Sequence, residues 1–137
     1  MSGVRAVLDT NILVSALLSP RGNPAKIYRM FLTEILKLAY SPKILAEYRD
    51  VLFRPRLRIA AEEAQKVLEA IREYGEKIEP IPSAHDMIDE DDRMFYDAAI
   101  GAGACLITGN KKHYPDEACI MSPAEFLSFC LSGGVSK

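Results

Sequence analysis

Four short runs of mostly apolar residues punctuate this chain, at Val4–Leu8, Leu36–Tyr40, Cys105–Thr108 and Ala118–Met121. Between them lie segments whose apolar residues recur at helical spacing. Strands that are apolar along their whole length, rather than at alternate positions, are buried on both faces. Strands of that kind, alternating with helices, predict an α/β fold with a central, mostly parallel sheet. Its crossovers should be right-handed. With 137 residues, about half of them apolar, the chain fits a single domain, residues 1–137, with a sizeable core.

The helical segments have readable ends. Thr10–Leu18 follows the first strand directly, and Ser19–Asn23 is a loop by its turn residues. Pro24 suits a helix start, and Ile27, Met30, Phe31 and Ile35 form a stripe over Ala25–Ile35. Ser41 is an N-cap for Pro42–Phe53. Ala61–Tyr74 is amphipathic, with Val67, Leu68 and Ile71 inward, and Gly75 ends it. Lys77–Ile81 is a candidate third strand, weakened by Pro80 and Pro82. Ser83–Asp91 is a polar loop, Asp92–Gly103 a helix, and Lys111–Glu117 a loop or short helical turn. Ser122 and Pro123 cap a last helix running to Phe129.

Charge and composition narrow the function. The net charge is -2, so nucleic acid would have to be met by a local basic patch. No apolar stretch approaches the roughly 20 residues of a membrane span. Val4–Leu8 is too short for a signal peptide and is interrupted by Asp9. Cys105, Cys119 and Cys130 have no paired or metal-ligand spacing. A reduced, cytoplasmic protein is the expectation.

Polar residues collect at the ends of the apolar runs. Asp9 closes the first run and opens a helix, which puts a carboxylate at the mouth of the sheet, where open α/β sheets bind ligands. At about 100° per residue, Glu47 sits roughly 40° outside the apolar face formed by Ile44, Leu45, Tyr48, Val51 and Leu52. It is either an ordinary boundary glutamate or one that leans over the sheet edge. Asp92 starts a helix, where any of Asp89, Glu90, Asp91 and Asp92 suits the macrodipole, yet it shares a turn with buried-face residues. Asp97 falls on the opposite, solvent side of that helix. Asn110 follows the strand Cys105–Thr108 through Gly109, as turn chemistry or as a site residue.

Carboxylates gathered in one pocket repel one another and raise each other's pKa values. A hard cation such as Mg²⁺ or Mn²⁺ relieves that repulsion and supplies phosphodiester hydrolysis. Neither His85 nor His113 sits in a nucleophilic motif, and no P-loop or serine elbow is present. Arg49, Arg54, Arg56 and Arg58 cluster after Glu47, and Lys111, Lys112 and His113 follow Asn110. They form either a solvated surface or a phosphate-contacting rim, with Arg54, Arg56, Lys111 and Lys112 as candidate RNA contacts. Tyr114 is a candidate for stacking on a base.

Together these residues resemble a known family. Val7-Leu8-Asp9-Thr10-Asn11-Ile12-Leu13, Leu45-Ala46-Glu47, Asp91-Asp92 ahead of Phe95-Tyr96-Asp97-Ala98-Ala99, and Leu106-Ile107-Thr108-Gly109-Asn110 resemble the four signature blocks of PIN domains, in family order. The pattern is most similar to the prokaryotic, VapC-like toxin branch. The resemblance implies a three-layer α/β/α domain with Mg²⁺- or Mn²⁺-dependent ribonuclease activity. It carries over Asp9, Glu47 and Asp92 as the acidic, metal-binding positions and Asn110 as a fourth position that is often Asp. The lost charge at Asn110 implies weaker binding of a second metal. Thr10, Asn11 and Thr108 match positions that orient the acids or contact the site. A homodimer and a small antitoxin partner are also implied, with Ile12, Leu17 and Phe126–Phe129 as candidate contact residues.

Two rival readings follow from the same residues. A non-catalytic RNA- or partner-binding module with a weakened metal site would explain Asn110. A phosphatase with an aspartyl nucleophile usually carries a second acid two residues on, where this chain has Asn11.

Overall fold

A computed structural model describes residues 4–84, 86–117 and 119–131. His85 and Ala118 lie outside the described residues. Five parallel strands, β1 (Val4–Leu8), β2 (Leu36–Tyr40), β3 (Glu76–Lys77), β4 (Cys105–Ile107) and β5 (Ile120–Met121), form one sheet in the order β3-β2-β1-β4-β5. Among the described residues six α-helices accompany them: α1 (Thr10–Leu18), α2 (Asn23–Leu32), α3 (Pro42–Leu52), α4 (Ala61–Tyr74), α5 (Arg93–Ala102) and α6 (Pro123–Phe129). This is the expected α/β architecture with a parallel sheet between helices. Among the described residues no helix is long and apolar enough to cross a membrane.

The strands form where the apolar runs predict them, and the central ones are the most buried. Ala6, Val7, Leu8, Leu38, Ala39, Leu106 and Ile107 are closed to solvent. The chain builds outward from β1 to β2 to β3, then returns through α5 to lay β4 on the other side of β1. The carboxyl ends of β1 and β4 therefore flank the point where the strand order reverses. Leu8 pairs with Ile107 there, and the Asp9 amide donates to the Ile107 carbonyl at 3.0 Å. Tyr48, fully buried on α3, donates its hydroxyl to the Leu8 carbonyl. That bond ties α3 to the end of β1.

The helix ends follow their capping chemistry. The Ser41 hydroxyl accepts from the Ile44 amide at 3.2 Å. Ser122 and Glu125 close a reciprocal capping box at the start of α6. Ala64, Val67, Leu68 and Ile71 bury one stripe of α4.

Several expectations need correction. The stripe on α2 stops at Phe31 rather than Ile35. Glu34 takes a left-handed backbone (φ 66°), which turns the chain into β2 and leaves Ile35 49% exposed. The third strand is Glu76–Lys77 rather than Lys77–Ile81, because Pro80 has no amide for a ladder. The Ile81 amide instead donates to the Asp97 carbonyl on α5. The helix expected from Asp92 begins as a 3₁₀ turn, Glu90–Asp92, with Asp89 accepting from the Asp91 amide. Ile12 and Phe126 are core residues and offer nothing to a partner.

Tyr48→Phe removes a hydrogen bond from a closed core and leaves the Leu8 carbonyl short of a donor. It should lower unfolding free energy by about 1–3 kcal/mol. Urea denaturation followed by circular dichroism would measure this, and an unchanged midpoint would remove the tie from α3 to β1.

Candidate metal centre

Asp9 is 6% exposed, an unusual degree of burial for a carboxylate. Burial without partners would be costly, and here two hydroxyls meet it. Thr108 Oγ1 and Tyr114 Oη both donate to Asp9 Oδ2, at 2.8 and 3.0 Å. The same Thr108 oxygen accepts from the Asn110 amide at 2.9 Å. Thr108 is fully buried, so its hydroxyl is locked between strand end and turn. Burial and the charge of Asp9 push the Tyr114 phenol far above its ordinary pKa, so it remains a donor. With Oδ2 occupied by these donors, Oδ1 is the carboxylate atom left to meet a ligand.

The charge of Asp9 reaches both Glu47 and Asp92. Glu47 is half-buried on α3, and its carboxyl is raised by burial first and then by Asp50, Asp91 and Asp9, against the lowering effect of Arg54. Asp92 is half-buried at the head of α5. Burial raises its carboxyl, the Asp9 charge raises it further, and a contact with His113 opposes both. The fields of Asp9, Glu47 and Asp92 thus overlap at the carboxyl edge of the sheet. Asn110 is exposed beyond β4, and the Asn11 side-chain oxygen accepts from the Gly109 amide at 3.3 Å. The Thr10 hydroxyl is buried with no hydrogen-bond partner.

Three residues differ from expectation. Tyr114 is 7% exposed and bonded to Asp9, so its ring cannot serve as an open platform for a base. His113 Nδ1 lies 3.1 Å from Asp92 Oδ2. Among the described residues, one ligand atom from each of Asp89, Asp92 and His113 falls within 4.8 Å of the others. Asp97 is half-buried rather than fully solvated, and its Oδ1 is buried with no hydrogen-bond partner. Only the 3₁₀ turn Lys111–His113, which folds the segment after β4 back over the sheet edge, brings His113 and Tyr114 to the acids. The one sequence signal for them was their closeness to Asn110.

The donor set fits a hard divalent cation. Asp89, Asp92 and His113 bring ligand atoms within 4.8 Å of one another, and the charge of Asp9 acts on Asp92 and Glu47, a repulsion that a bound cation relieves. The basic rim is partly engaged: Arg54 pairs with Asp50 and Lys111 with Glu125, both at 2.9 Å. Arg56 and Lys112 are exposed. A hollow of about 410 Å³ lies past β4, lined by Thr108, Asn110, Lys112 and His113 among others.

Comparison with known proteins bears on family and fold. A family profile described as PIN domain matches residues 5–112. An uncharacterized protein, MJ1680 of Methanocaldococcus jannaschii, is 32% identical over 111 residues, covering 79% of this chain and 72% of that protein. Two solved structures share the fold. One is VapBC2 from Rickettsia felis bound to a DNA fragment from their promoter, with a TM-score of 0.57 and 20% identity over 87% of this chain and 97% of that one. The other is PAE2754 from Pyrobaculum aerophilum, with a TM-score of 0.56 and 16% identity over 94% of this chain and 90% of that one.

The Asp92 carboxyl has a pH consequence in the metal-free protein. A carboxyl raised on folding binds its proton more tightly in the folded state. Its contribution to stability is therefore full below the ordinary carboxyl range and lost as pH rises through the raised value. Asp92→Asn should flatten the fall in metal-free Tm that sets in as pH rises from about 4 through the raised value. It should also abolish most of the Tm rise given by Mn²⁺. Thermal melts with and without chelator would check both; a steeper fall in the variant would reverse the sign.

Proposed function

The chain belongs to the PIN domain family, and from that premise we propose that it is a metal-dependent endoribonuclease and the toxin of a toxin–antitoxin pair. PIN domains are generally nucleases and usually use divalent metals. The observation that carries the reading is the buried Asp9, gripped at one oxygen by Thr108 and Tyr114 and close enough for its charge to act on Glu47 and Asp92. A carboxylate so held is already oriented for a ligand, which lowers the cost of organising the site. The reading takes residues 1–137 as one cytoplasmic PIN-like domain.

Asp9 and Asp92 would hold Mg²⁺ or Mn²⁺, and Glu47 would tune that site or share a second ion. When bound, the cation supplies Lewis-acid stabilisation of the phosphoryl oxygens and a more acidic water. Thr108 and Tyr114 fix the rotamer of Asp9, and Asn11 ties the Gly109 turn to α1. Thr10 lies beside Asp9 with its hydroxyl buried. His113 braces Asp92 through Nδ1. Asn110 orients the attacking water. The water oxygen would bond to phosphorus as the bond to the leaving ribose oxygen breaks, one water proton passing to a site carboxylate and a proton from solvent neutralising the leaving oxygen. Arg54, Arg56, Lys111 and Lys112 steer the RNA backbone toward the acids.

The neutral Asn110 favours one metal over two. It also supports the second reading, a non-catalytic RNA- or partner-binding module with a weakened metal site. The partners in the main reading are an RNA substrate, a small antitoxin that covers the acids, and a second copy of the chain.

Purified protein incubated with mixed RNA and Mn²⁺ or Mg²⁺ should cleave it, and chelator should stop the cleavage. Asp9→Asn should lose activity by about a thousandfold or more while keeping its circular dichroism. Activity retained in that variant would unseat the site, and binding without cleavage in the parent would favour the module. Tyr114→Phe should lower kcat by about tenfold with KM little changed, because it loosens Asp9 without touching RNA. An equal loss in KM would instead make Tyr114 an RNA contact.

A further inference from the structure

Two short turns bring three metal-ligating side chains together at Asp92. In the 3₁₀ turn Glu90–Asp92, the Asp92 amide donates to the Asp89 carbonyl at 3.0 Å. Residues three apart eclipse one another in this geometry, which sets Asp89 and Asp92 on one side of the turn. Glu90 turns instead to Arg93, 2.7 Å away. Arg93 also donates to the Ser83 carbonyl and hydroxyl, at 2.9 and 2.7 Å, and so anchors the turn. The second 3₁₀ turn, Lys111–His113, delivers an imidazole. One ligand atom from each of Asp89, Asp92 and His113 lies within 4.8 Å of the others.

The set is more than a run of acids at a helix start, because its nitrogen comes from another element. His113 Nδ1 lies 3.1 Å from Asp92 Oδ2, across 21 residues of sequence. In an octahedral shell with bonds of about 2.1 Å, neighbouring ligand atoms lie about 3.0 Å apart. The two atoms are thus already spaced as adjacent ligands of one ion. A cation takes the place of the proton between them, which moves to Nε2 or to buffer. Asp89 Oδ1 accepts from the Asp91 amide at 3.0 Å, leaving Oδ2 for a ligand. Asp89 is exposed and the other two are half-buried, so an ion can enter and keep part of its water.

The imidazole decides which ion is preferred. Mg²⁺ takes oxygen ligands and dehydrates reluctantly. Imidazole nitrogen suits the transition ions, whose affinity for mixed nitrogen and oxygen sites rises along the series through Co²⁺.

We propose that Asp89, Asp92 and His113 form a transition-metal site in which His113 Nδ1 is a direct ligand and sets a preference over Mg²⁺. The site shares Asp92 with the Asp9 centre. It rests on the ribonuclease reading for its use, but binding of the ion does not require cleavage.

The probes are Co²⁺ and Mg²⁺, titrated by calorimetry into the chelator-treated whole chain. Co²⁺ should bind at least about a hundredfold tighter than Mg²⁺. His113→Gln should weaken Co²⁺ by at least about tenfold and leave Mg²⁺ within about twofold. Proton NMR of the Co²⁺ protein should show a hyperfine-shifted, exchangeable imidazole N–H. The chain has two histidines; His113→Gln should lose that signal and His85→Gln should keep it. A His113 that only braces Asp92 gives no such signal, since it does not touch the ion. Asp89→Asn, an exposed change, should weaken Co²⁺ several-fold. Absence of the shifted imidazole signal overturns the site. So does an unaltered ratio of Co²⁺ to Mg²⁺ affinity in His113→Gln, or, if that variant misfolds, an unaltered Co²⁺ affinity in Asp89→Asn. A second arm incubates the chain with RNA and Mn²⁺. The imidazole signal without any cutting sinks the ribonuclease reading and leaves the site standing. Cutting that Asp9→Asn abolishes, with no imidazole signal, sinks the site and leaves the nuclease standing.

Discussion

A carboxylate buried at the reversal point of a parallel sheet is the constraint around which this molecule is arranged. Asp9 cannot sit there unpaired. The hydroxyls that answer it come from 99 and 105 residues away, Thr108 at the end of β4 and Tyr114 in the segment after it. Their reach depends on β4 lying against β1 in the observed register, and that register depends on the return of the chain through α5. Tyr48 completes the enclosure by pinning α3, the helix of Glu47, to the same strand end. Fold and site are therefore one construction. Loosening the sheet at Leu8–Ile107 would loosen the acid it presents.

Much of this was legible in the sequence, for identifiable reasons. Strands buried on both faces leave an unbroken apolar record, and Val4–Leu8 and Leu36–Tyr40 fold over the predicted residues. Proline and serine fix helix starts through local chemistry, so Ser41 and Ser122 were readable as caps. Glu47 at the margin of an apolar face sits half-buried, because helical geometry converts sequence spacing directly into direction. The family resemblance gathered Asp9, Glu47, Asp92 and Asn110 as a set that periodicity alone left open.

What escaped was set by tertiary contact. His113 and Tyr114 follow no regular element whose period would orient them, and a short 3₁₀ turn decides where they point. Asp97 lies on the polar side of α5 by helical count. The crossing of segment 79–81 covers that side, and nothing local to Asp97 announces the crossing. Ile35 failed for the opposite reason: its periodicity was right, but a left-handed Glu34 ended the helix first.

The sheet edges carry a consequence for how copies of this chain can associate. An exposed strand edge is a template on which foreign strands add, the first step toward aggregation and amyloid. Here both outer strands are only two residues long, Glu76–Lys77 on one side and Ile120–Met121 on the other. Beyond Lys77 the prolines at 80 and 82 withhold amides that a docking strand would need. The sheet thus offers almost no ladder for intermolecular growth. Self-association of this fold is left to surfaces made of helices and loops, where shape and charge rather than backbone pairing decide the partner.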